Sequence, residues 1–241
     1  MHAETELRLE KCLPFISAQL QAPEATPAER PKVSSRLAVT ISRQSGSGAH
    51  AVAEALARYL QARSPGGSVP WTVYDRNLVE QVLDDHQLPT RLARFMPEDR
   101  TSEIADVLDE LLGLHPSSWT LVRQTAETIL RLAEQGNVIL IGRGANLVTS
   151  GLDHVLHVRL IGSLERRVEH IRQTRRLRDG AALRSVRHED RGNRRYLKRY
   201  FGRDPDDPLL YHLVVNTDRV PYPEAARMIG DAVLNWQEPA R

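Results

Sequence analysis

The chain has 241 residues and a formal net charge of +2, with 41% hydrophobic and 27% charged side chains. These values are ordinary for a globular domain, and they exclude a highly charged disordered protein. The single cysteine, Cys12, excludes a disulfide framework and a cysteine-based metal site. The N-terminus has no apolar signal segment and no apolar run is long enough to span a membrane, so we expect a cytoplasmic protein without a membrane partner.

Residues 1–35 are predicted to be a flexible tail and linker, and residues 36–241 a single folded domain. Glu4 to Leu20 has the spacing of a short amphipathic helix, and a Pro-rich polar stretch, PEATPAERPKV, follows it. This composition favours a frayed tail. The alternative is a helix that docks on a partner or on a second copy of the chain, which would make a homodimer.

A strand, a glycine-containing loop and a helix follow the tail in that order. Residues 37–41, LAVTI, form a short β-branched apolar run, and residues 50–60 have apolar side chains at helical spacing. Between them lies the glycine loop, residues 42–48, with Gly46 and Gly48. This order presents free backbone N–H groups and a positive helix end to an anion, which indicates a phosphate-binding loop. An ordinary strand-to-helix turn that uses glycine for positive φ angles is the alternative.

The glycine loop departs from the P-loop pattern G-x-x-x-x-G-K-[ST]. Arg43 stands at the first glycine, Ala49 at the lysine and His50 at the hydroxyl residue. Backbone amides can still bind phosphate, because they need no particular side chain. Arg43 is therefore our candidate for a compensating catalytic cation.

Four further strands and several helices are predicted along the rest of the chain. The strands are residues 71–74, 137–141, 154–161 and 212–216, and the helices include residues 77–85, 101–114 and 118–135, one that Ser163 caps and one that Pro223 opens. Continuous apolar strands that alternate with helices indicate a mostly parallel five-stranded sheet covered on both faces, an α/β fold.

Polar residues follow several strands directly, at the edge where ligands of parallel sheets bind. Arg43 follows the first strand, Asp75 and Arg76 the second, and Arg143 the third. Any one of these arginines alone is as easily explained by a surface salt bridge. Two arginines and an anion-binding loop at one sheet edge favour a polyanionic ligand, for which Asp75, Arg76 and Arg143 are substrate-binding candidates.

Residues 166–203 contain thirteen arginines. Three interpretations compete: a solvated helix, a nucleic-acid surface, and a lid that closes over transferring phosphates. The sequence shows no aromatic platform and no helix-turn-helix signal, which argues against nucleic acid. Arg191 lies three and four residues from Arg194 and Arg195, so all three share a helical face.

The motifs resemble the cytidylate kinase-like branch of the nucleoside monophosphate kinases. The matching segments are ISRQSGSG, YDRNLVE, VILIGRGA, HVRLIGSLERRV, DRGNRRYLKRYFG and YHLVVNTDRV, which span most of residues 37–236. The resemblance implies a P-loop NTPase-like fold with a helical insert that binds nucleoside monophosphate (NMP) at about 76–116 and an Arg-rich lid at about 172–205. Lys is generally absent from the P-loop of this branch, as it is here.

The resemblance also implies ATP-dependent phosphoryl transfer with Mg²⁺ to an NMP, with CMP or dCMP as the expected acceptor. Arg143 matches the arginine that grips the acceptor phosphate, and Arg191 and Arg194 match catalytic lid positions. The residues that match the donor-phosphate site are Gly46, Ser47, Gly48, Ala49 and His50. Two alternatives remain open: a nucleotide-binding regulator with little catalysis, and a protein that binds RNA or a partner through its arginines.

Overall fold

The computed structural model describes residues 37–64, 69–75, 82, 85–87 and 118–236. The predicted tail and nearly all of the predicted NMP-binding insert lie outside these ranges. Within them, no helix has the length and apolar character needed to cross a membrane. The elements in chain order are β1 (Ala38–Arg43), α1 (Ala49–Gln61), β2 (Thr72–Tyr74), α2 (Ser118–Gln135), β3 (Val138–Ile141), α3 (Ala145–Val148), β4 (Val155–Ile161), α4 (Leu164–Arg175), α5 (Asp179–Phe201), a 3-10 helix (Pro208–Leu210), β5 (Leu213–Asn216) and α6 (Tyr222–Leu234).

The strands form one parallel five-stranded sheet in the order β2-β3-β1-β4-β5. This confirms the predicted α/β fold class. Ile41 near the end of β1 pairs with Ile141 of β3 and with Val158 of β4. The carboxyl ends of the strands therefore meet at one edge of the sheet, which is where ligands of such folds bind.

Each face of the sheet is covered by helices. On one face α1 and α6 pack on Val39 and Ile41 of β1, together with apolar residues of β3 and β4. On the other face, α2 and the C-terminal end of α5 cover Ala38 and Leu140. Fully burying one Val, Leu or Ile side chain contributes about 1.5–3 kcal/mol, so these two layers supply most of the stabilisation.

A buried polar seam runs between β1 and β4 on the face that α2 and α5 cover. Thr40 and Ser42 alternate with the apolar residues of β1, and His157 and Arg159 lie opposite them in register. All four residues are buried. His157 Nδ1 lies 2.8 Å from Thr40 Oγ1, and Arg159 Nη1 donates to Ser42 Oγ at 2.9 Å. The seam is satisfied internally, as buried polar groups must be.

His157 is held neutral by its surroundings. Burial, with a smaller contribution from the stacked ring of His212, lowers the pKa of His157 to about 3. The His157 backbone N–H also donates to His212 Nδ1 at 2.8 Å. Protonation of His157 therefore opposes folding.

We predict that the free energy of unfolding decreases as the pH falls from 6.5 towards 3, because the unfolded chain binds a proton at His157 that the folded chain refuses. At pH 5, about 1.5 units below the ordinary pKa, His157 lowers the free energy of unfolding by about 2 kcal/mol, because each unit corresponds to 1.36 kcal/mol. In His157→Gln this part of the pH dependence should disappear, as measured by urea denaturation at pH 7 and pH 5. The same comparison at pH 8, where the imidazole is neutral in both states, gives the effect of the substitution without the protonation difference. An equally steep pH dependence in the variant would contradict the assignment.

Candidate functional site

The glycine loop connects the central strand β1 to α1 and has the backbone conformation that the sequence predicted. Gly46 and Gly48 have φ angles of +82° and +81°, in the left-handed region that glycine adopts without strain. Gly48 precedes the first residue of α1, and no side chain caps that helix. The N-terminal N–H groups of a 13-residue helix are therefore directed towards the carboxyl edge of the sheet. This is the geometry of an anion site.

Both glycines are also required by packing. A Cβ at Gly46 would overlap the backbone carbonyl of Arg167 in α4, and a Cβ at Gly48 would overlap the ring of Tyr222 at the start of α6. The Cα of each glycine therefore faces protein. The sequence indicated these glycines through the loop pattern and their φ angles, and it gave no sign of this packing role. The loop is fixed between α4 and α6.

Arg167 is a buried cation that contacts the glycine loop. Its side chain is 9% exposed, and Nη1 donates to Ser45 O at 3.0 Å and to Asp190 Oδ2 at 2.7 Å. Its Nε donates to Gly162 O at 3.0 Å. Ser163 caps α4 by accepting from the Arg166 N–H, as predicted, and this fixes the orientation of the helix. The guanidinium therefore joins β4, the loop and α5.

Two carboxylates of α5 lie against the same loop. Asp190 Oδ1 accepts from the Ser45 N–H at 2.7 Å, and Glu189 Oε2 accepts from Ser45 Oγ at 2.6 Å. Burial alone would raise the pKa of Glu189, but hydrogen bonds from Arg175, Ser45 and Ser185 outweigh it and hold the pKa below its ordinary value. Glu189 is thus stabilised in its charged form beside the glycine loop.

Arg143 occupies an unusual turn at the end of β3. Gly142, Arg143 and Gly144 have φ angles of +77°, +57° and +68°, three left-handed residues in succession. Such a conformation is costly for arginine, and non-glycine residues of this kind cluster at functional sites. The Gly142 N–H donates to Ile41 O at 3.1 Å, which places the turn beside the start of the glycine loop. A Cβ at Gly144 would crowd Phe201 of α5.

Asp75 follows β2 at the same sheet edge. Its Oδ2 lies 3.5 Å from Nδ1 of His50, the second residue of α1, and His50 Nε2 lies 3.1 Å from Glu54. The structure therefore brings together two of the predicted site residues from neighbouring segments. Arg76, the other predicted substrate residue here, lies outside the described residues.

The side chains of Ser47 and Ala49 contact other protein groups, which leaves the backbone of the loop as the candidate binding group. Arg43 is the last residue of β1, in register with Leu160. Ser47 is buried and its hydroxyl donates to Gln44 O at 2.8 Å, within the loop itself. Ala49, at the position of the P-loop lysine, belongs to the apolar core between α1 and the sheet. These residues shape the loop, and Arg43 remains a candidate cation at its entrance.

The predicted lid arginines lie on α5, one continuous helix from Asp179 to Phe201. Arg191 and Arg194 are both exposed. Arg194 pairs with Asp206, which also accepts from the buried Arg159 at 2.6 Å. The buried arginines near α5, Arg159 and Arg167, pair with Asp206 and Asp190, whereas Arg191 and Arg194 face solvent.

Sequence reasoning missed Arg167, Glu189 and Asp190 as residues of the loop site, and Arg159 as its neighbour. An arginine inside the apolar strand VLHVRLI was a detectable signal, because a buried charge requires a partner. Arg167 and Asp190 are separated in sequence from Ser45, the loop residue that they contact, by 122 and 145 residues, so no local sequence pattern indicates these contacts.

A parallel sheet in this order, with a helix that follows a glycine loop on its central strand, defines an α/β fold of the P-loop type. The model of the Cytidylate kinase-like family matches residues 38–219, and the chain belongs to this family. The cytidylate kinase of Methanopyrus kandleri is 29% identical over 156 residues, which cover 61% of this chain and 79% of that protein.

A solved structure shares the fold. An uncharacterized protein from Eubacterium ventriosum has a TM-score of 0.61 at 16% identity, with 82% of this chain and 98% of that chain covered. A shikimate kinase from Bacteroides thetaiotaomicron covers the same shares at 12% identity, but its TM-score of 0.46 is too low to support further comparison.

We predict that Gly48→Ala lowers the free energy of unfolding by more than about 2 kcal/mol, because alanine is strained at this φ angle and its Cβ overlaps Tyr222. Gly180→Ala in α5 is the matched control, since its Cβ would meet only an ordinary contact at 3.5 Å with Arg184. That variant should be neutral or more stable by up to about 1 kcal/mol. Equal stabilities in urea denaturation would contradict the packing role of Gly48.

Proposed function

We propose that this protein is a nucleotide kinase that transfers the γ-phosphoryl group of Mg-ATP to a nucleoside monophosphate, with CMP or dCMP as the acceptor. The observation that carries the proposal is the glycine loop, with its two left-handed glycines and the uncapped start of α1. Membership of the Cytidylate kinase-like family supports the acceptor class.

The donor phosphates fit the glycine loop. Backbone N–H groups at the start of α1 and the helix dipole favour the negative charge of a triphosphate. Arg167 and Arg43 supply positive charge near the loop, in place of the lysine that Ala49 replaces. Phosphoryl transfer depends mainly on positioning and on charge stabilisation, so cations at suitable positions can substitute for one another.

The acceptor fits the neighbouring strand ends. Arg143 leaves β3 beside the loop, and a guanidinium can bind a phosphate with two parallel hydrogen bonds. Asp75 at the end of β2 lies on the same side and is suited to a hydrogen-bond donor of the nucleoside. An acceptor between these residues would lie next to the donor phosphates, as in-line transfer requires.

Magnesium enters this proposal as part of the Mg-ATP substrate. In kinases the ion is bound through phosphate oxygens, water and one or two carboxylates. The Asp75 carboxylate lies 3.5 Å from His50, which stands at the position of the P-loop hydroxyl residue. The described residues contain no group of three or more potential metal ligands, so we assign no metal-binding residue beyond this neighbourhood.

One specific observation favours a second candidate, a nucleotide-binding regulator with little catalytic activity. Ala49 is 9% exposed within the apolar core, so no side chain replaces the lysine at that position itself. A regulator of this kind would retain binding by the backbone of the loop and lose most of the transfer rate.

A coupled assay of ADP release distinguishes the two candidates. Mg-ATP is supplied with each of the common ribonucleoside and deoxyribonucleoside monophosphates, and with no acceptor as a control. We expect turnover with CMP or dCMP well above the control. Binding of ATP in a thermal-shift assay without acceptor-dependent ADP release would favour the regulator. No binding and no turnover with any nucleotide would rule out both candidates.

We predict that Arg143→Lys raises the KM for the nucleoside monophosphate at least about tenfold and leaves the KM for ATP nearly unchanged. Lysine keeps the charge but loses the planar fork, and one hydrogen bond to a charged group contributes about 1.5–3 kcal/mol. The backbone strain is the same for both residues, because neither is glycine. An equal rise for ATP and acceptor in steady-state kinetics would contradict an acceptor role.

A further inference from the structure

We infer that Asp190, supported by Glu189, acts as an internal anion that occupies the glycine loop of the ligand-free protein and that the phosphates of the donor must displace. The inference rests on the proposed function and concerns the regulation of the same site. It makes the affinity for the donor depend on how readily α5 releases the loop.

The contacts of Asp190 are those that an anionic ligand would make. One carboxylate oxygen accepts from the Ser45 N–H of the loop at 2.7 Å, and the other accepts from Arg167 at 2.7 Å. A backbone N–H and a guanidinium are both common donors to phosphate in proteins. The carboxylate therefore uses donors that a phosphate oxygen would otherwise use.

Glu189 strengthens the hold of α5 on the loop. It accepts from Ser45 Oγ at 2.6 Å and forms an ion pair with Arg175 of α4. Two adjacent residues of one helix thus bind the backbone and the side chain of the same loop residue. These hydrogen bonds stabilise two acidic side chains at a loop whose backbone N–H groups would otherwise attract an external anion.

The acidic pair remains accessible to a competing ligand. The side chains of Asp190 and Glu189 are 31% and 28% exposed, so solvent reaches the contact. The ends of α5 are fixed separately by apolar packing, with Ala182 and Val186 against α4 and Leu197 and Phe201 against the sheet. Displacement of the carboxylates therefore leaves the apolar anchors of the helix in place.

Competition of this kind weakens the observed affinity. When only a fraction of molecules has a vacant loop, the apparent Kd is the intrinsic Kd divided by that fraction. Removal of the competing carboxylate raises the fraction and frees Arg167 for the ligand. The ligand-free protein loses the same contacts, so its stability falls while its affinity rises. A purely structural carboxylate would lower the stability without improving the affinity.

The test measures binding of tripolyphosphate and of Mg-ATP by isothermal titration calorimetry at fixed ionic strength. Wild type is compared with Asp190→Ala and with the isosteric Asp190→Asn, and Glu189→Gln is the second variant of the pair. We expect Asp190→Ala to bind both probes at least about tenfold more tightly, and the other two variants to show smaller gains in the same direction. The melting temperatures of the ligand-free variants should fall.

Glu169→Gln is the matched control. Glu169 forms an ion pair with Arg172 on α4 and is 45% exposed, and its neutralisation changes the net charge as Asp190→Asn does. Its affinities should equal those of wild type. A gain in Glu169→Gln as large as that in Asp190→Asn would show a general charge effect and overturn the inference.

The remaining outcomes separate the inference from the proposed function. If wild type binds the probes and the Asp190 variants bind equally or more weakly, the internal anion is disproved and the proposed function stands. If neither wild type nor any variant binds either probe, the loop is not a phosphate site. That result would overturn the proposed function and, with it, the inference.

Discussion

The arrangement of the site depends on the hydrogen bonds that the guanidinium of Arg167 donates. This guanidinium is almost fully buried and donates to Gly162 O, to Ser45 O and to Asp190. A buried arginine is tolerated only when its donors are satisfied, and these three acceptors come from three different segments. The group therefore fixes the end of β4, the glycine loop and α5 relative to one another. Removal of Arg167 would leave all three acceptors without this donor.

A second buried arginine extends the same principle along α5. Arg159 is buried among the apolar residues of β4 and donates to Ser42 and to Asp206. Asp206 in turn pairs with Arg194. Burial lowers the pKa of Arg159, and the nearby Tyr211 partly offsets this. The middle of α5 is thus held over the central strands by charged contacts and its ends by apolar ones. Charged contacts can be exchanged for contacts with a charged ligand, whereas apolar packing offers such a ligand nothing.

The sequence predicted those features that depend on local patterns. Apolar runs predicted all five strands to within two residues, and Ser163 predicted the start of α4. Gly46 and Gly48 indicated the loop, because glycine adopts positive φ angles without strain. The contacts of Asp190 and Arg167 could not be predicted, since they join residues that are distant in sequence and depend on how α4 and α5 pack. The arginine content of residues 166–203 drew attention to positive charge, whereas two carboxylates of the same segment, Glu189 and Asp190, contact the loop.

Because the loop has no lysine at the P-loop position, its positive charge must come from elsewhere in the structure. A lysine at position 49 would extend from the first turn of α1 as a permanent part of the loop, whereas Ala49 packs into the core. Positive charge instead reaches the loop from α4, through Arg167, and that charge is shared with a carboxylate of α5. A loop with its own lysine attracts phosphate whatever the rest of the molecule does. Under the inference drawn above, the same attraction depends on the position of α5, so the charge of Arg167 and the helix that contacts the loop are coupled.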